Sequence, residues 1–411
     1  MKQLLIFCFT MFLIAIGCKK SDDQAVSKSS DNIVSKNMLI NNNLNALNER
    51  ISYTGNANTY IIEDSVNETL KSSERTTASS ITIQLIAVLA PPRYKEEVLQ
   101  ASHIRIVDNY AYIGYNTQGP RYLGGVDIVD INSPDHPKLI SSVVFINQET
   151  NKGKDVSSVD AKNSPDSKGN TSLWITGADE TSDSAFVERY ELNSCHQFES
   201  SQSVNFSLKG YVGTDVRYYN DKVYITSGTD GGLTILDDQM KEVSYLILKN
   251  ARSVDINKDY EIVLGGNPGH LYKPGFWDQE IGGATDPEAK SMLRLSCKFA
   301  LVALGEEGLK CYDITSDKPE LMSALPRPSV PEGKEPWDYV TNGVSVFDNK
   351  RVYIANGAGG LDIAKIDNTG QLKRTGNIDL GASANFVEAN TNYIFVATGT
   401  GGLEILKVTE N

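Results

Sequence analysis

One short phrase recurs along the chain. Residues 222–236 read KVYITSGTDGGLTIL, 298–314 KFALVALGEEGLKCYDI, 351–366 RVYIANGAGGLDIAKI and 392–407 NYIFVATGTGGLEILK. Each copy is an alternating apolar run, a Gly-rich turn and a second alternating run. A phrase repeated in this way is one supersecondary unit copied and stacked, because a single copy cannot bury its own apolar face. Alternation with a period of two marks strands rather than helices.

Each unit divides into four predicted strands. The first is of the Thr341–Phe347 type, and a polar turn such as Asn220-Asp221-Lys222 follows it. The second is of the Val-Tyr-Ile type. The third follows the Gly-Gly pair, and the fourth follows a Pro- and Asp-bearing loop such as Asp130-Ile131-Asn132-Ser133-Pro134. Four short strands in roughly 40–50 residues match a propeller blade. First strands are expected near His103, Ser157, Thr214, Ser253, Leu293, Gly343 and Asn385, which gives seven units. The seventh lacks a fourth strand of its own, since the sequence ends at Asn411. The apolar run Ile81–Leu89 precedes the first unit and is a candidate replacement. The predicted fold is all-β: a seven-bladed β-propeller whose N-terminal strand closes the last blade and so hides the open sheet edges.

The segment Gly125-Val126-Asp127-Ile128-Val129-Asp130-Ile131-Asn132-Ser133-Pro134-Asp135-His136-Pro137 resembles the LVIVD repeat. The resemblance extends over about residues 80–411 and implies a β-propeller, with no particular activity attached. The fourth unit departs from the pattern. After Val263-Leu264-Gly265-Gly266 the expected Gly-Gly-Leu is replaced by a long irregular stretch.

Residues 1–17 read as a signal segment: Lys2, an apolar run over residues 4–16, and then Ala15-Ile16-Gly17-Cys18. The last four residues resemble the lipobox of bacterial lipoproteins. That resemblance implies acylation of Cys18, a membrane anchor and a place in the cell envelope at the outer membrane. Lys19-Lys20-Ser21-Asp22-Asp23 is similar to the charged tract of surface-exposed lipoproteins of the Bacteroidota. Residues 18–79 are rich in Ser, Asn and Thr and are expected to be a flexible tether, with a marginal helix near Met38–Ile51. Cys195, Cys297 and Cys311 are expected as small buried residues rather than a bridge or a metal site.

A net charge of −13 argues against a nucleic-acid partner, whose phosphates require a basic surface. There is no His-Glu-x-x-His, Gly-x-Ser-x-Gly or Cys-x-x-Cys, and the four His are scattered at 103, 136, 196 and 270. No metal or cofactor is expected, and no catalytic residue can be named. The polar turn around Asp166 lacks the spacing of a calcium loop.

Two features stand out. Aligning the first strands on their central apolar residue puts Arg105, Asp160, Arg217, Asp255, Arg294, Ser345 and Val387 at one level. The alternating sign of the first five suggests inter-blade ion pairs that fix blade order. The second feature is a pair of expected insertions, Asn267–Lys290 and Pro326–Tyr339. They carry His270, Tyr272, Phe276, Trp277 and Trp337 as candidate contacts for a partner. The expected function is non-catalytic binding of a protein or glycan by a monomeric domain. The alternative is an envelope polysaccharide hydrolase or lyase working at the channel mouth.

Overall fold

A computed structural model describes residues 32–55, 59–63, 80–162, 165, 169–283 and 290–410. The signal segment, Cys18 and the turn at Asp166 lie outside these residues. Five successive antiparallel sheets have four strands in chain order, and a sixth and a seventh carry extra strands at their outer edges. Blade 1 runs Gln100–Val107, Tyr110–Asn116, Gly124–Asp130 and Lys138–Phe145. Blades 2 to 6 repeat this meander, with first strands Lys154–Ala161, Gly213–Tyr219, Ser253–Ile256, Leu293–Ser296 and Gly343–Phe347. Blade 7 has Phe386–Ala389, Tyr393–Ala397 and Leu403–Glu410 from the C-terminal end. Its fourth strand is Ser80–Leu89, which pairs antiparallel with Leu403–Glu410. No helix among the described residues is long and apolar enough to cross a membrane.

Strand alternation explains why the sheets stand radially. Successive side chains point to opposite faces of a blade, so each blade packs against both of its neighbours. In blade 1, Tyr112 joins Val156, Val159 and Ile175 of blade 2. The flanking Ala111 and Ile113 join Phe395, Ala397 and Leu403 of blade 7. Five further clusters fill the gaps from blade 2 to blade 7. The core is therefore a set of apolar slabs between blades, and the slab joining blades 7 and 1 closes the ring.

The Gly-rich phrase has two tasks. Its first glycine exchanges two backbone hydrogen bonds with the start of the next blade: Gly305 with Thr341, Gly357 with Ala384 and Gly399 with Ala101, at 2.9–3.2 Å. Its last glycine lies under the fourth strand. A Cβ on Gly360 would run into the carbonyl oxygen of Ile378, and one on Gly402 into that of Leu89. The same glycine is needed in blade 7 although its fourth strand comes from the other end of the chain.

Residues 32–55 and 59–63 pack on the propeller and do not form a tether. Strands β1 (Asn32–Ser35) and β2 (Met38–Asn41) extend blade 1, with β2 on the outer edge of Lys138–Phe145. Helix α1 (Leu44–Asn48) follows, and then β3 (Ile51–Tyr53) and β4 (Thr59–Glu63), which both pair with the Ser80–Leu89 strand, β5. The segment is a strap across the junction of blades 7 and 1. Its asparagines serve as hydrogen-bonding groups: Asn42 Nδ2 donates to Phe198 O (2.8 Å), Asn43 Oδ1 accepts from Ala46 N (3.0 Å), and Asn48 both donates to Leu139 O and accepts from Leu139 N. Asn at a helix N-cap and polar pairing along a sheet edge are what these positions require.

The fourth blade is also complete. His270–Lys273 and Trp277–Glu280 are its third and fourth strands, paired His270↔Glu280 to Lys273↔Trp277. The expected insertion at 267–290 is mostly blade, and the turn between the strands is built on Pro274-Gly275.

Candidate functional site: the central channel and the two loop faces

The first strands line the channel. Backbone register places Arg105, Asp160, Arg217, Asp255, Arg294 and Ser345 opposite Tyr112, Trp174, Tyr224, Ile262, Leu301 and Tyr353 of their second strands. In blade 7 the equivalent residue, opposite Phe395, is Glu388 and not Val387. Phe386 and Val387 are both apolar, so alignment on an apolar residue slips by one there. Val387 is buried between blades 6 and 7.

These groups meet in the channel. Arg105 Nε lies 2.9 Å from Asp160 Oδ1, and its Nη1 lies 3.7 Å from Glu388 Oε1. Arg294 Nη2 reaches the same Glu388 oxygen at 3.2 Å, past Ser345. Arg217 Nε lies 3.6 Å from Asp255 Oδ1. The carboxylates also clamp the next blade: Asp160 accepts from Tyr218 N and Asp255 from Leu295 N, both at 2.8 Å. Burial works against the charge on Arg105, but Asp160, Glu388 and Asp255 outweigh it and its pKa rises. Arg217 shifts the other way: burial, then Arg105 and Arg294, lower its pKa against the pull of Asp255 and Asp215. A guanidinium stays charged under such shifts.

A second polar layer lies two residues earlier on the same strands, on the same faces. Asp215 accepts from Ser158 Oγ (2.9 Å) and Ser253 Oγ (2.7 Å). His103 is wholly buried, its ring tilted against Phe386 at 4.3 Å between centroids. Burial and the surrounding cations Lys290, Arg217, Arg294 and Arg105 keep His103 neutral. Val159 N donates to its Nδ1 at 3.3 Å, which leaves the proton on Nε2 facing Ser158 Oγ. Lys290 crosses the channel from the loop before blade 5, and its Nζ donates to Ser157 O of blade 2 at 2.6 Å. Desolvation lowers the Lys290 pKa to about 7.

The antiparallel meander sorts the loops. Connections between blades, and between second and third strands, emerge on one face, here called the upper. The other turns emerge on the lower face. Trp337 is on the upper face, 64% exposed, in a 3₁₀ turn over Pro336–Asp338. Phe276 is on the lower face, 79% exposed, in the turn between the last strands of blade 4. The two aromatics do not share a surface. Trp277 packs with the cluster between blades 4 and 5, and Tyr272 with that between blades 3 and 4. His270 Nδ1 contacts Asp278 Oδ1 at 2.7 Å on the half-buried strand pair of blade 4. These three belong to the blade rather than to a loop. The upper face also holds Tyr211 (52% exposed), edge-on to Tyr122, and Tyr94 beneath Lys95 and Arg121. Sequence reading missed these tyrosines because single aromatics in polar loops carry no spacing signal.

A cleft of about 1300 Å³ opens on the lower face between blades 5 and 6, beside Ser80, where residues 64–79 join from outside the described part. Cys297 is exposed at its rim, and Cys311 is a buried thiol whose pKa burial pushes up to about 12. Cys195 is disulfide-bonded, contrary to expectation. Among the described residues no three His, Cys, Asp or Glu side chains come together as a metal set.

Residues 100–144, which span blade 1, match the family model of the LVIVD repeat. No curated protein matches the chain. Among solved structures, an inactive virginiamycin B lyase from Staphylococcus aureus with quinupristin has a TM-score of 0.52 at 10% identity, covering 80% of this chain and 99% of that one. The WD40 β-propeller domain of Doa1 has a TM-score of 0.50 at 11% identity, covering 79% and 97%. At these identities the likeness is one of fold. Seven blades closed in a ring make the chain a β-propeller, and its first blade matches the LVIVD repeat.

Proposed function

We propose that this propeller is a non-catalytic binding module of the cell envelope, anchored by acylated Cys18, that presents its upper face to a protein or glycan. One observation carries the reading: Tyr94, Tyr122, Tyr211 and Trp337 all stand on that face, on loops tied to the blades. Arg327 Nη1 holds the Trp337 loop by donating to Pro336 O (2.7 Å) and Tyr339 O (2.9 Å). Aromatics held this way give stacking area at little cost in conformational entropy. The channel acids offer less to the hydrolase or lyase alternative, since Asp160, Asp255 and Glu388 already serve guanidinium or backbone N–H groups.

The test is a glycan array and an envelope-protein pull-down with the wild-type chain and with Trp337→Ala and Tyr211→Ala. Loss of a bound partner in these variants, with unchanged melting, supports the upper face. Binding that survives both moves the site elsewhere. Fatty-acid labelling and the mass of the mature N-terminal peptide test the anchor. A Cys18 found bridged rather than acylated removes it.

A further inference from the structure

Four buried guanidinium nitrogens in the channel have no hydrogen-bond acceptor among the described residues: Nε, Nη1 and Nη2 of Arg217, and Nε of Arg294. Arg217 is 2% exposed and Arg294 6%. Buried donors are nearly always paired, and leaving a charged one unpaired is expensive. The ion pair of Arg217 with Asp255, at 3.6 Å, is longer than a hydrogen bond.

The neighbouring acceptors are already committed. Asp160 serves Arg105 and Tyr218 N, and the free oxygen of Asp255 serves Leu295 N. Asp215 serves two serine hydroxyls and the backbone N–H groups of Val216 and Val254. Glu388 Oε1 is shared by Arg105 and Arg294. The alternation of sign breaks at Ser345, so Arg294 reaches past it to Glu388 for its acid. Arg105 and Arg294, on the non-adjacent blades 1 and 5, share Glu388 Oε1, and both repel the charge on Arg217 of blade 3.

We propose that the channel binds one small oxyanion, a carboxylate or a phosphate-type group, between Arg217 and Arg294. A guanidinium fork presents coplanar N–H groups that match two oxygens of such an anion. Tight enclosure of the nitrogens limits the ligand to a compact group, admitted by a swing of the flexible Arg217 or Lys290 stem. The site is independent of the aromatic upper face, so failure of either leaves the other standing.

Equilibrium dialysis of the full-length protein with labelled phosphate, sulfate and acetate at matched ionic strength tests this. The expected result is one saturable site per chain, with affinity at least tenfold lower in Arg217→Met, which keeps the stem and removes the fork. Acetate alone binding identifies a carboxylate site; phosphate or sulfate binding identifies a tetrahedral one. Absence of a saturable site for all three, or equal affinity in Arg217→Met, overturns the proposal. Should Arg217→Met fail to fold, selenate-soaked wild-type crystals decide. An anomalous peak within hydrogen-bond reach of the Arg217 nitrogens supports the site, and a channel without one overturns it.

Discussion

Arg50 is a residue through which the strap grips both sides of the ring closure. Its Nε and Nη2 donate to Ala90 O at 2.9 and 2.8 Å, at the end of β5, while Nη1 lies 3.2 Å from Asp127 Oδ1 in blade 1. Asp127 is fully buried and also accepts from Tyr115 Oη at 2.8 Å. Burial opposes the charge on Arg50, but Asp127 and Tyr115 outweigh it and its pKa is raised. Arg50→Ala leaves Asp127 buried without a counter-charge. Breaking a buried pair from one side costs about 3–5 kcal/mol, and the lower end applies because the Arg50 side chain keeps 19% of its surface. Asp127→Asn frees an arginine that can swing to water, and costs about 1–2 kcal/mol. The double variant then costs less than the sum, with a coupling of about 1–3 kcal/mol. Urea unfolding followed by tryptophan fluorescence reads this, since Trp174 is fully buried. An Arg50→Ala protein within about 0.5 kcal/mol of wild type, the range of an ordinary surface change, refutes the role of the strap. So does additivity in the cycle.

Gly402 adopts φ +87°, and an added Cβ meets the carbonyl of Leu89, whereas Gly381 adopts φ +69° with nothing within 4 Å. Gly381→Ala should cost only the left-handed strain, about 1–2 kcal/mol. Gly402→Ala should cost clearly more and expose β5 to protease; equal melting shifts would contradict the close approach. Glu404 is 5% exposed, and burial raises its pKa to about 7. Folding therefore takes up protons at this site between the ordinary carboxyl range and pH 7. Its contribution to stability is full at low pH and is lost as pH rises through 7. Glu404→Gln should stabilise the protein at pH 8 by up to about 3 kcal/mol and have little effect at pH 4.5, read from melting curves at both pH values. A gain confined to pH 4.5 would reverse the assignment.

The repeating glycines made the blades legible before any contact was known, because their backbone role is the same in each copy. The run Ile81–Leu89 stood out because the last unit was one strand short. The parts that escaped notice do their work with ordinary polar chemistry. Asn42, Asn43 and Asn48 look like spacer residues until their hydrogen bonds are seen. His270–Lys273 and Trp277–Glu280 lack the Gly-Gly-Leu opening, and only Pro274-Gly275 marks their hairpin. Glu388 was hidden by two adjacent apolar residues that leave the strand phase ambiguous. Which loop face a residue occupies follows from strand parity, so Phe276 and Trp337 were separable once the strands of blade 4 were counted.

Hydrogen exchange across the closing blade tests the ring most directly. The account predicts that the amides of Ser80–Leu89 exchange as slowly as those of Leu403–Glu410, and that both accelerate together in Gly402→Ala. Fast exchange of Ser80–Leu89 beside a protected Leu403–Glu410 would mean that the first strand does not complete the last sheet.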